Sequence, residues 1–108
     1  MATNVFDNAP LRNVGTSDTT VFTGATGTSN IILQLDIANV SLGARTASAW
    51  LLSGGNKYHI AKDAPIPVGG TLQAIYGQKC VVKAGESIQV KCDAASGVDV
   101  MCSILKDV

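Results

Sequence analysis

Charge, aromatic rings and proline are all scarce in this chain of 108 residues. Only 15% of the residues are charged and 5% aromatic, with three prolines and one histidine. Each shortage excludes something. Eight Lys plus Arg balance eight Asp plus Glu, so the basic footprint that a nucleic-acid binder uses to neutralise phosphates is missing. Trp50, Tyr58 and Tyr76 are too few and too scattered for a platform of stacked rings, which disfavours a carbohydrate-binding module. No apolar run approaches the roughly 18 to 20 residues of a membrane-spanning helix. A charged N-terminal stretch leading into an apolar one is lacking as well, which predicts no signal peptide and synthesis in a cytoplasm. Helical periodicity is hard to find anywhere along the chain.

What remains is a single domain's worth of chain with 46% hydrophobic residues, too apolar for disorder. Its apolar runs are short, rich in Val, Ile, Leu and Thr, and broken by Gly, Asn, Asp and Ser clusters, which is the signature of successive β-strands. Strands are predicted over 19–23, 31–40, 46–53, 57–63, 71–76, 79–83, 87–92 and 98–105, about eight in all. Turns are expected at Ser53-Gly54-Gly55-Asn56, Gly77-Gln78, Ala84-Gly85-Glu86 and Ala94-Ala95-Ser96-Gly97. Alternation puts Ile31, Leu33, Leu35 and Ile37 on one face of the longest strand, and Val98, Val100, Cys102 and Ile104 inward on the last. Pro65 and Pro67 cannot donate to a central ladder, so their segment belongs to an edge or a crossover between sheets. The expected fold is all-β: a single antiparallel β-sandwich over residues 18–108, jelly-roll or immunoglobulin-like in strand order.

Chemistry is hard to locate. His59 shares a polar strand face with Lys57 and has no nucleophile or carboxylate beside it in sequence. The aspartates are scattered singly beside turns, and the glycines fit no phosphate-loop pattern. Cys80, Cys92 and Cys102 match no metal-ligand spacing. They read as reduced, mostly buried thiols, with one Cys92–Cys102 disulfide across a hairpin as the alternative. No catalytic, cofactor-binding or metal-binding residue is predicted. Trp50 is expected either in the inter-sheet core or at a subunit interface.

The remaining signals point to assembly. Ile32, Leu52, Met101 and Leu105 fall on nominally outer faces, more apolar than water-facing strands usually are. Residues 1–17 are polar, carry Pro10, and offer only Val5, Phe6, Leu11 and Val14 as apolar anchors. They read as an N-terminal arm outside the sandwich, with Phe6, Leu11 and Val14 reserved for a partner's surface. Zero net charge removes a barrier to self-association, so a homo-oligomer is expected.

The stretches Thr19-Thr20-Val21-Phe22-Thr23, Ile37-Ala38-Asn39-Val40, Trp50 to Tyr58, Ile60 to Leu72 and Ala84 to Val90, spread over residues 18 to 106, form a set of strand-and-turn motifs. In these motifs the chain resembles a group of small virion structural proteins of tailed bacteriophages. The motifs are silent about chemistry. The resemblance implies a virion component: a capsid decoration (cement) protein bound to the major capsid protein, or alternatively a neck or tail component.

Overall fold

The structure is a computed structural model and describes residues 3–108. Among the described residues there are nine strands: β1 (Val5–Asn8), β2 (Leu11–Val14), β3 (Thr19–Thr23), β4 (Ser29–Asn39), β5 (Arg45–Ser53), β6 (Asn56–Ile66), β7 (Thr71–Lys83), β8 (Ser87–Cys92) and β9 (Val98–Lys106). They form two antiparallel sheets packed as a β-sandwich. A five-stranded sheet runs β1-β9-β4-β7, with β2 also paired to β9, and a four-stranded sheet runs β3-β8-β5-β6. From β2 onward the chain alternates between the sheets except at the β5–β6 hairpin, which is the connectivity of a jelly roll. The immunoglobulin-like order is thereby set aside.

The core fills the space between the sheets. Ile32, Leu35, Ile37, Ile75, Val82, Val98, Val100, Cys102 and Ile104 face inward from one side, and Ala47, Ala49, Ile66, Ile88, Val90 and Cys92 from the other. The inward assignments for β8 and β9 agree with simple alternation. Those for β4 agree only in its second half. A bulge between Ile32 and Gln34 shifts the register, so Leu35 and Ile37 face the core whereas in the first half Ile32, not Ile31 or Leu33, does so. One extra residue reverses every side chain before it. Ile32, expected on an outer face, is therefore fully buried.

The same bulge region accounts for Gly77. No turn occurs at Gly77-Gln78; β7 runs through it as one strand, and Tyr76 and Cys80 pair with Gln34 and Ile32. Gly77 takes φ +85° there, a conformation that side-chain-bearing residues seldom adopt.

The N-terminal segment also departs from expectation. Val5 to Asn8 pair with Lys106 to Ser103, while Leu11 and Val14 pair with Val100 and Val98. An arm outside the sandwich is thus corrected to a first strand of the jelly roll, interrupted at Pro10. The free edge of β9 supplies the ladder that sparse side-chain burial could not, and Ala9 N–H still donates to Cys102 O across the interruption (2.9 Å). Val14 belongs to the core and Leu11 packs against it, so neither is held in reserve for a partner. The start of the expected arm, residues 1–2, lies outside the described residues.

Candidate functional site

Asn39, at the end of β4, organises one apex of the sandwich. Its side chain is buried, and its Nδ2 donates to Gly43 O (2.9 Å), Ile66 O (3.0 Å) and Pro67 O (3.3 Å). Its Oδ1 accepts from Ser41 N–H (2.9 Å) and Ser41 Oγ (2.7 Å). Its own N–H donates to Gly70 O, and Arg45 Nε donates to Ser41 Oγ. One amide therefore ties the β4–β5 turn to the β6–β7 turn. A buried amide is costly unless it is satisfied, and satisfaction on this scale holds both turns in one geometry.

The two turns so joined carry aliphatic side chains into solvent. Leu42 is 100% exposed, and Val40, which follows Asn39, and Val68, which follows Pro67, are exposed as well. Turns already held by hydrogen bonds lose little further backbone entropy when their side chains make contact, which is what a docking point requires. Alternation cannot reveal this site, because all three residues lie in turns. The signal that could have found it was the pair Asn39-Val40 and Pro67-Val68 next to strand ends.

The outer face of the five-stranded sheet carries a second apolar region. Phe6, Leu105, Ile31 and Val81 stand in one row across four strands, paired in the order Phe6↔Leu105↔Ile31↔Val81. Phe6 is 74% exposed, Val81 50% and Met101 48%, while Leu105, Ile31 and Leu33 are half-buried. Of the outer-face residues singled out in the sequence, Phe6, Met101 and Leu105 meet here. Leu52 is half-buried on the other sheet, and Ile32 and Val14 are in the core.

Trp50 lies in neither expected place. Ala49 and Leu51 pair with Val90 and Ile88 toward the core, so Trp50, opposite Gln89, points to the outer face of the four-stranded sheet. It is nevertheless 0% exposed. Lys57 Nζ sits 4.4 Å from the ring centroid, and the His59 ring lies 5.5 Å away at 48°. Trp50 Nε1 donates to Gln89 Oε1 (3.1 Å), and Gln89 Nε2 donates to Thr20 Oγ1 (3.1 Å). Lys57 is fastened in turn to Asp18 (2.7 Å). The indole is sealed under a polar lid and offers no face to a sugar or a base.

Nothing else in the described residues converges on chemistry. No group of three or more His, Cys, Asp or Glu is placed to hold a metal ion. All three cysteines are free, with Cys92 and Cys102 buried on different sheets. Burial pushes the Cys102 thiol up to about 12 and raises that of Cys80. Thiols so shifted are protonated and unreactive at neutral pH.

No family model matches the chain, and no curated protein matches it. Among solved structures, it is similar to a protein of the Bacillus endospore appendages, which form a family of disulfide-linked pili. That match has a TM-score of 0.57 at 12% identity and covers 100% of this chain and 90% of that one. A weaker likeness, with a TM-score of 0.47 at 12% identity, is to the nucleoplasmin-like N-terminal domain of Drosophila FKBP39, covering 100% and 94% of the two chains. At this identity the first match speaks for the β-sandwich fold alone.

Proposed function

We propose that this protein is a non-enzymatic structural component of a tailed-phage virion, a capsid decoration protein that docks on the major capsid protein and clamps the shell. The observation that carries the reading is the apex. Leu42, Val40 and Val68 project from two turns locked together by Asn39. The stretches that resemble the virion proteins include part of this construction, though not Leu42: Ile37-Ala38-Asn39-Val40 supplies the amide and one aliphatic residue, and Ile60 to Leu72 supplies Ile66, Pro67, Val68 and Gly70. A resemblance in strand-and-turn patterns thus coincides with a mount for apolar contacts. Burying Leu42 against a shell would contribute roughly 1.5 to 3 kcal/mol, and the already half-covered Val40 and Val68 less, before the cost of association. The jelly roll behind them is a stiff body suited to carrying load, and the chain's neutrality favours dense packing on a surface.

The protein would be made in the bacterial host and come to rest in the particle. Quantitative mass spectrometry of purified virions tests this directly. Copies on the order of hundreds per particle are expected for decoration of the shell. A dozen or fewer would move the protein to the neck or tail, and absence from the particle would overturn the reading. In a binding assay with undecorated shells, Leu42→Asp combined with Val68→Asp is expected to abolish attachment while leaving the fold intact.

A further inference from the structure

The outer face of the five-stranded sheet is nearly symmetric about β9 in what it displays. On one side stand Phe6 of β1 and Arg12 of β2; on the other stand Ile31 and Asp36 of β4. Phe6 and Ile31 lie level, both opposite Leu105. Arg12 follows Leu11, which is opposite Val100, and Asp36 is opposite Met101, so the two charges lie near one level toward the other end. Arg12, Asp36, Asp99 and Met101 line one recess of about 330 Å³. Within the chain the charges do not meet. Arg12 is exposed and in no ion pair among the described residues. Asp36 Oδ2 accepts from Gln34 Nε2 (2.9 Å), but Asp36 Oδ1 is buried with no hydrogen-bond partner. Asp36 stands with Arg12 at the rim of one recess, and a guanidinium is the group whose fork best matches a carboxylate there.

We infer that this face is the interface of a two-fold homodimer whose axis runs along β9. Such an axis exchanges the two sides of the sheet. It lays Phe6 of each protomer over Ile31 of its partner, and Arg12 of each over Asp36 of its partner. Leu105 and Met101, on the axis, meet their own copies, and neither carries charge. Asp99 is also on β9 and lines the recess beside Arg12, with its Oδ1 accepting from Asn13 N–H (2.8 Å). The occupant is a second copy rather than another protein because the face complements itself: Phe6 meets Ile31 and Arg12 meets Asp36 under one rotation. The chain's zero net charge leaves no overall repulsion to overcome. This dimer uses residues other than Leu42, Val40 and Val68, so it stands independently of attachment to a shell.

Sedimentation equilibrium of the full chain at micromolar concentration tests it. The wild type is expected to show a monomer–dimer equilibrium. Arg12→Asp and Asp36→Arg are each expected to weaken association by about tenfold or more. Their equimolar mixture is expected to regain it, because the reversed charges then pair across the two chains. Met101→Lys, at a half-exposed position that the fold tolerates, would set two cations face to face on the axis and is expected to dissociate the dimer. A wild type that stays monomeric, a dimer that Met101→Lys leaves intact, or a mixture no tighter than its components would each overturn the proposal.

Discussion

The two outer faces of this sandwich handle apolar surface in opposite ways. The four-stranded sheet displays its largest side chain, Trp50, on the outside and then closes it completely with Lys57, His59 and Gln89. The five-stranded sheet leaves Phe6, Val81 and Met101 exposed, with nothing folded over them. A lid on one face and none on the other shows that outward apolar residues do not all have the same meaning. Where the chain spends long polar side chains on covering a ring, the contact is internal and stabilises the monomer. Where it spends none, the surface is left for something outside the chain.

Trp50→Ala should break the comparison most severely. Removing a fully enclosed indole leaves a void under the lid and is expected to cost about 3–5 kcal/mol, read as a fall in the urea midpoint. At the apex between the faces, Asn39→Ala strands the carbonyls of Ile66 and Pro67 and frees both turns. A loss of about 2–3 kcal/mol is expected, together with weaker attachment even though Leu42 is untouched. Lys57→Met removes the cation over the ring and an ion pair that is already partly solvated, so about 1 kcal/mol or less is expected.

Acid should act on fastenings outside both lid and row. Glu86 is held below its ordinary carboxylate range first by Lys83 N–H and then by Ser53 Oγ, and Asp7 first by its hydrogen bond to Lys106. A depressed folded value means that the stabilisation is complete above the unfolded value and is lost as pH falls through the folded one. Melting temperature is therefore expected to hold from neutrality to near pH 5 and to decline below about pH 4. Glu86→Gln should flatten part of that decline. Smallest of all, Phe6→Ser on the open face is expected to shift monomer stability by no more than about 0.5 kcal/mol. A large loss there would mean that Phe6 serves the monomer, and the contrast between the faces would collapse.

The inward residues of β8 and β9 were legible from alternation because those strands keep their inward–outward pattern from end to end. The facing of Ile31, Ile32 and Leu33 was not, because the bulge before Gln34 depends on how β7 and β9 pair with β4. The first strand was hidden for a related reason. Val5 to Val14 has too little apolar content to declare itself, and its stability comes from the free backbone edge of β9, nearly a hundred residues away in sequence. Composition and punctuation alone determined an all-β sandwich with a Val, Ile and Leu core and apolar surplus on outer faces, while the Cys92–Cys102 pairing stayed open until the two thiols were placed on different sheets. Only the tertiary structure decided the jelly-roll order, the sealing of Trp50 and the joining of the Val40, Leu42 and Val68 turns by Asn39. Local pattern sets which residues prefer burial, whereas the pairing of distant strands sets which side of the sheet each one reaches and what waits for it there.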